Sequence, residues 1–173
     1  ADVIGSWNWD VSQDLIFTDG RFAASFGLDP KQAETGLPLE EFINRIHEGD
    51  RARVADEIVR TIESGDAYSS EYRITRPDGS VSHVLAQGKL VKGADGKAAR
   101  FPGVLFDVTA RRKAEMEAVA QRERLEEALQ DWGVPHSEAN HVWLPAANLA
   151  RLGTPQEVAA RLAERGVLVR AFS

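Results

Sequence analysis

The stretch YSSEYRITRPDGSVSHVLAQGKLVKGADGKAARFPGVLFDV, residues 68–108, decides the fold. Its β-rich segments alternate with two turns, RPDGS and GADGK, and each turn contains an Asp-Gly pair. Asp-Gly between alternating apolar segments is the strongest short-range signal for a β-hairpin. The stretch therefore predicts three consecutive antiparallel strands. In the second of them His83 shares a face with Val81 and Leu85.

Two further strands and a block of short helices precede this stretch. GSWNWDV places Trp7 and Trp9 on one face of a strand, and LIFTDG follows after a short turn. Helical segments come next, namely GRFAASFG, PLEEFINRIHEGD and DRARVADEIVRTIESG. In the last of these, Asp50 is a candidate N-cap and Gly65 a stop signal. Because strands and helices occur in separate blocks, we predict an α+β domain with one antiparallel sheet and helices on one face.

Composition limits the classes of function. The 173 residues include no cysteine, and 27 acidic against 21 basic residues give a formal net charge of −6. Without cysteine, disulfides, thiolate catalysis and Cys-ligated metal sites are excluded. The acidic balance argues against a nucleic-acid partner, and no apolar run reaches the roughly 18 residues of a membrane span. We expect a cytoplasmic protein without a membrane segment.

No sequence pattern indicates catalysis. The chain contains no phosphate-binding glycine loop, no His-Glu-x-x-His pair and no Gly-x-Ser-x-Gly motif. The carboxylates of Asp19, Asp29, Asp78 and Asp95 lie at turn signals, where aspartate stabilises the backbone. We therefore predict that the chain is not an enzyme and has neither catalytic residues nor a metal site.

The joint order of five segments resembles a Per-Arnt-Sim (PAS) sensory domain with a PAC-type second half. The segments cover residues 1 to about 116 and are GSWNWDV, FGLDP, IHEGDR, EYRITRPDGSVSHV and GVLFDVTARRKAE. IHEGDR stands where the family usually has Ile-His-Pro-Asp-Asp. The resemblance implies a five-stranded antiparallel sheet and a module that senses or dimerises. It also implies a ligand cavity between sheet and helices. By their helical spacing, the residues expected to face it are Phe22, Phe26, Phe42, Ile46 and Ile58, and plain core packing is the alternative interpretation of this stripe.

The sequence leaves the ligand of this cavity open, and we expect no cofactor. A photoactive flavin version of the family needs an adduct-forming cysteine, which this chain lacks. Non-covalent flavin and other small molecules remain open. A haem version needs an axial ligand, usually histidine. His47 at a helix junction and His83 within a strand are the candidates, but local capping and a half-exposed strand position are the simpler interpretations.

The end of the domain runs into a helix without glycine or proline. DVTARRKAE resembles the Asp-Ile-Thr motif that ends PAS domains and leads to an effector. Thr109 can cap the first helical turn, and Asp107 can pair with Arg111 or Arg112. We predict that these four residues transmit the signal. The effector, by family habit a histidine kinase or a cyclic-dinucleotide enzyme, is expected to be absent from this chain.

A continuous helix of about 35 Å is predicted from Ala110 to Trp132. One side of it carries Ala118, Leu125, Ala128, Leu129 and Trp132, which is consistent with a short parallel coiled coil in a homodimer. The alternative is a solvated helix packed on its own domain. The predicted dimer contacts are Leu125, Leu129 and Trp132, together with Trp7 and Trp9 if these two indoles form a partner surface. Burial in the core is the other interpretation of the two indoles.

The C-terminal 42 residues, 132–173, read differently from the rest. They contain a strand candidate, HVWLP, a helix beginning at TPQE, and a second strand candidate, GVLVRAF. In the helix Thr154 is the N-cap, Pro155 is the first helical residue and Glu157 closes a capping box. This β-α-β tail is similar to the small domain of pyridoxal-phosphate aminotransferases of the histidinol-phosphate type. Lys113 is the last lysine, so the tail has none to form a Schiff base.

We therefore divide the chain into a sensory domain (1–109), a linker helix (110–131) and an aminotransferase-like fragment (132–173). The leading interpretation is a dimerising signal-transduction module. The alternative is an artificial or accidental chimera without catalytic activity.

Overall fold

The computed structural model describes residues 2–131 and 153–164. The strands are β1 (Asp2–Asp10), β2 (Leu15–Thr18), β3 (Ala67–Thr75), β4 (Val81–Lys89), β5 (Val91–Lys92) and β6 (Ala98–Asp107). The helices are α1 (Gly20–Ser25), α2 (Pro30–Thr35), α3 (Leu39–Ile43), α4 (Glu48–Ser64), α5 (Thr109–Asp131) and α6 (Pro155–Glu164). The chain divides into two compact units, Ala1–Arg112 and Lys113–Ser173.

The strands of the first unit form one antiparallel sheet in the order β2-β1-β6-β4-β3, and the two-residue β5 pairs with β6. The predicted α+β class and the five predicted strands are confirmed, and β5 is an addition. Both Asp-Gly turns form, with Gly79 and Gly96 at positive φ. In the register of β1 and β6, Trp7 lies opposite Gly103 and Trp9 opposite Phe101.

The core lies between the helices and the inner face of the sheet, the face that carries Trp9, Tyr72 and Leu105. The rings of Phe22 and Phe26 stack with centroids 4.9 Å apart. Each fully buried side chain of this size contributes about 1.5–3 kcal/mol to stability. Successive side chains of a strand point to opposite faces, and the outer face carries residues such as Glu71 on β3.

Aspartates cap helices and close turns as the sequence predicted. Asp19 and Asp29 are the N-caps of α1 and α2, and Asp78 and Asp95 accept backbone N–H bonds in the two hairpin turns. Helix α2 itself was not predicted as a separate element.

The predicted N-cap of α4 is wrong, although its stop is right. His47 is the N-cap, and its Nδ1 accepts a hydrogen bond from the Gly49 N–H at 3.2 Å. Asp50 lies in the first turn of the helix, and its carboxylate binds Arg73 of β3. Gly65 ends the helix at φ +76°.

In the second unit, α6 begins with the predicted capping box. The Thr154 N–H donates to Glu157 Oε2 at 2.7 Å, and the Glu157 N–H donates to Thr154 Oγ1 at 3.3 Å. The two predicted tail strands, 141–145 and 166–172, lie outside the described residues. Within the described ranges, no helix is both long and apolar enough to cross a membrane.

Candidate functional site

The junction between β6 and α5 is held by hydrogen bonds to β4. The Thr109 hydroxyl accepts from the His83 N–H at 3.0 Å and donates to the His83 carbonyl at 3.3 Å. The Val108 N–H donates to the same carbonyl at 2.9 Å. Asp107 Oδ1 accepts from the Thr109 N–H at 2.8 Å. The prediction that Thr109 caps the helix is therefore wrong: its hydroxyl binds β4, and the Asp107 carboxylate binds the free N–H.

Two arginines on the first turn of α5 bind one carboxylate of β3. The Arg111 guanidinium pairs with Glu71 Oε1, and Arg112 Nη2 lies 2.6 Å from Glu71 Oε2. The hydrogen bond from Arg111 is the main cause that lowers the pKa of Glu71, and the charge of Arg112 adds to it. We call this three-residue cluster the Glu71 clasp.

The clasp corrects the predicted partner of Asp107. Asp107 Oδ2 lies 3.8 Å from Arg76 Nη2, while its other oxygen binds the Thr109 N–H. The Asp107 carboxylate is thus directed toward the β3–β4 turn and the helix start. Arg111 and Arg112 instead reach Glu71, which is 40 residues away from Arg111 in the sequence.

A small apolar cavity of about 60 Å³ lies between the helices and the sheet. The structure brings all five expected residues to its wall, together with others that include two tyrosines: Phe22, Phe26, Phe42, Ile46, Ile58, Tyr68 and Tyr72. Burial raises the pKa of Tyr68 to about 12 and also raises the pKa of Tyr72. Both phenols are therefore neutral at any physiological pH, and the wall carries no charge.

This cavity does not fit a flavin or a haem. Sites for such ligands usually measure about 300–1,000 Å³, whereas about 60 Å³ holds only a few waters. His47 and His83 are not among the residues that line it, because His47 caps α4 and His83 lies on the outer face of β4. In the described ranges, no group of three or more His, Cys, Asp or Glu residues is placed to hold a metal ion.

The two indoles of β1 belong to the core. Trp9 is 6% exposed, its ring lies 6.2 Å from that of Phe101, and its Nε1 donates to Asp14 Oδ1. Trp7 is half-buried and packs against Phe22 and Phe101. The core interpretation is confirmed, and Trp9 is too buried within one chain to be the dimer contact it was predicted to be.

The predicted coiled-coil seam of α5 is described only in part. Leu125 is half-buried. Ala128 is 2% exposed within the single chain, so this point of the seam is covered without a second copy. The side chain of Leu129 and the whole of Trp132 lie outside the described residues. Met116 and Val119 are the exposed large apolar residues of the helix.

A second, polar cleft of about 520 Å³ lies where the α3–α4 connection meets the β3–β4 turn. The Thr75 N–H donates to the Arg45 carbonyl at 2.9 Å, which joins the two segments. The cleft is lined by Asn44, Arg45, His47, Glu48, Arg51, Thr75, Arg76, Pro77, Gly79 and Val81. Sequence analysis missed it because the cleft combines two segments, one around Arg45 and Arg51 and one at Arg76, which only the fold brings together.

Known proteins are similar to parts of the chain. A family model described as PAS fold matches residues 15–105. A crystal structure of a sensory box histidine kinase/response regulator from Burkholderia thailandensis is 25% identical, with a TM-score of 0.61 over 71% of this chain and 90% of that one. A blue-light-activated histidine kinase from Brucella anthropi is 28% identical over 121 residues, which are 69% of this chain and 23% of that protein.

A short match points to a different class of protein. An aromatic amino acid aminotransferase from Corynebacterium diphtheriae is 48% identical over 56 residues, which are 32% of this chain and 15% of that enzyme. The chain therefore spans less than a quarter of the length of either curated relative.

Proposed function

The chain belongs to the PAS fold family, and from that premise we propose that it is the sensory module of a longer cytoplasmic signalling protein. A small ligand or a partner sets the state of the domain, and α5 passes that state to an effector such as a histidine kinase. The module itself performs no catalysis. Its transmitting residues are Asp107, Thr109, Arg111 and Arg112, and we add Glu71 to them.

The Glu71 clasp is the observation that carries this proposal. Successive residues of a strand point to opposite faces of the sheet. Tyr72 lines the apolar cavity, and its neighbour Glu71 binds Arg111 and Arg112 on the outer side. A ligand that displaces Tyr72 would therefore also move Glu71. This strand connects the cavity with the first turn of the helix.

The small free energies of the ion pairs in the Glu71 clasp are suited to a change between two states. Exposed ion pairs contribute only about 0–1 kcal/mol each, and about 1 kcal/mol changes a two-state ratio by about fivefold. Two orientations of the helix start can therefore be close in free energy, so that a modest difference in ligand affinity selects one of them. A much stronger contact would fix the helix in one state.

Hydrogen exchange measured on the whole chain tests the clasp. In Glu71→Gln the amides of residues 111–115 should exchange about 3–5 times faster, since the variant loses both ion pairs. Glu63→Gln, at an exposed position of α4, is the matched control and should exchange like the wild type. Equal exchange in all three proteins would refute the clasp as an element that stabilises the first turn of α5.

We further propose that the chain forms a homodimer through α5. Sedimentation velocity from low to high micromolar concentration should show a monomer–dimer equilibrium. Leu125→Lys should weaken it more than Met116→Lys if the predicted seam is used. A monomer at every concentration would reject the dimer and leave the clasp proposal intact.

A second candidate is favoured by the 56-residue match to an aminotransferase. Here residues 132–173 are a fragment related to the small domain of such enzymes, joined to a PAS domain as a chimera without activity. Lys113 is the last lysine of the chain, so we expect no transamination of aromatic amino acids when pyridoxal phosphate is supplied. Turnover above that of a boiled sample would contradict the chimera.

A further inference from the structure

We propose that the polar cleft between the α3–α4 connection and the β3–β4 turn binds a small oxyanion, a phosphate or carboxylate group, between Arg45 and Arg76. The proposal goes beyond sensing through the apolar cavity. It rests on the geometry of the cleft and does not require that α5 transmits a signal.

Backbone pairing brings the two arginines to one site. The Thr75 N–H donates to the Arg45 carbonyl at 2.9 Å, and the His47 N–H donates to the Arg73 carbonyl at 2.8 Å. The α3–α4 connection thus extends along the end of β3. Arg45 takes part in this pairing, Arg76 directly follows Thr75, and both arginines line the cleft.

The cleft has the room that the apolar cavity lacks. It measures about 520 Å³ and is open to solvent, which falls within the usual range of about 300–1,000 Å³ for small-molecule sites. The apolar cavity measures about 60 Å³. A polar metabolite therefore finds space at the cleft without any rearrangement of the core.

The charges at the cleft are unbalanced toward positive in a chain whose net charge is −6. Three arginines line it against a single carboxylate, that of Glu48. The Arg51 guanidinium already has protein acceptors, because its Nε and Nη2 donate to the carbonyls of Ile46 and Asn44. Arg45 and Arg76 remain available to a ligand.

Neither of these two arginines is satisfied by the protein. The Arg45 side chain makes no hydrogen bond or ion pair with any residue in the described ranges. Arg76 Nε is buried and has no hydrogen-bond partner there, and the ion pair of Arg76 with Asp107 is long, at 3.8 Å. An oxyanion would supply acceptors for both guanidinium groups, which match phosphate and carboxylate geometry.

Binding of an anion in the cleft would also affect the start of α5. Asp107 Oδ2 faces Arg76, and Asp107 Oδ1 binds the Thr109 N–H. An anion that binds the Arg76 guanidinium would weaken its ion pair with Asp107. Because Asp107 also accepts from the Thr109 N–H, the chemical shift of that amide should change on binding.

Titration of the full chain tests the site. Inorganic phosphate and succinate are added separately at constant ionic strength, because exposed charges are screened by salt. NMR follows the Arg76 side-chain Nε–Hε and the Thr109 amide. We expect saturable shifts with a Kd of about 1 mM or tighter. The anion that binds more tightly tells whether the ligand carries phosphate or carboxylate.

Variants decide whether these arginines form the site. Arg45→Gln and Arg76→Gln should each weaken binding by about tenfold or more, whereas Arg60→Gln, at an exposed position of α4, should not. Arg45→Gln removes no contact within the described structure, so its affinity for the anions tests the site even if Arg76→Gln impairs folding. Absence of saturation with both anions, or equal affinity in Arg45→Gln and wild type, would overturn the proposal.

Discussion

The hydroxyl of Thr109 makes two hydrogen bonds to the backbone of His83, accepting from its N–H at 3.0 Å and donating to its carbonyl at 3.3 Å. A side chain thereby continues the pairing between β4 and β6 by one more residue, at the position where the strand becomes a helix. The Thr109 end of α5 is fixed to β4, and the Glu71 clasp joins the first turn of the helix to β3.

Replacing this hydroxyl with a methyl group should destabilise the domain. Thr109→Val keeps the shape of the side chain and leaves the His83 N–H without its partner, which costs about 1–3 kcal/mol. Urea unfolding of the chain measures the loss, with Thr75→Val on the exposed side of β3 as the control. Equal stability of the two variants would show that water replaces the Thr109 hydroxyl without cost.

The Asp50–Arg73 pair should make stability depend on pH in the acid range. Asp50 accepts from Arg73 Nε at 2.9 Å and Nη2 at 3.0 Å, and the side-chain hydrogen bond from Arg73 is the main cause that lowers the pKa of Asp50 from 3.8 to about 2. Because the folded-state pKa is the lower one, the stabilisation is complete above pH 3.8 and is lost as the pH falls through about 2.

Asp50→Asn tests this dependence. After allowance for solvent screening we expect a loss of about 1–2 kcal/mol at neutral pH, and most of this difference between wild type and variant should be gone at pH 2. Asp56→Asn, at an exposed position of the same helix, is the control. A constant difference between wild type and Asp50→Asn from pH 7 to pH 2 would contradict the assignment.

What could be predicted from sequence was local in the chain. The Asp-Gly turns, the Gly65 stop and the Thr154 capping box depend on residues within a few positions of one another, and all three are present. Helical spacing was also sufficient to identify residues that face the cavity, such as Phe22 and Phe26, because a stripe on an amphipathic helix faces the sheet.

What could not be predicted depends on pairing across the sheet. Asp50 is a good N-cap by type, but Arg73 is 23 residues away and binds it only once β3 lies beside α4. Glu71 meets Arg111 across 40 residues. For each of these carboxylates the sequence offers many arginines and lysines as candidate partners. Only the register of the strands determines which of them lies close enough to bind.

Gly103 should tolerate no side chain. It lies opposite Trp7 in the β1–β6 register, and a Cβ at this position would overlap the Trp7 indole. Gly103→Ala should therefore lower the free energy of unfolding by about 1–3 kcal/mol. Trp7→Leu in the same chain should recover part of that loss. Gly20→Ala is the control, since its Cβ would meet nothing nearer than 3.9 Å. If both alanine variants were as stable as the wild type, the Trp7 indole would be able to move aside without cost, and the prediction would be wrong.

The Glu71 clasp should open as the pH falls, and this links the junction to a measurable titration. Arg111 and Arg112 lower the pKa of Glu71 below 4.5, so the ion pairs are complete above pH 4.5 and disappear as the carboxylate is protonated below it. NMR of the Arg111 and Arg112 side-chain Nε–Hε groups should show one transition below pH 4.5. The transition should be smaller in Glu71→Gln and retained in Glu63→Gln. A transition of unchanged size in Glu71→Gln would mean that another carboxylate causes it, and the titration would then give no support to the Glu71 clasp as a link between β3 and α5.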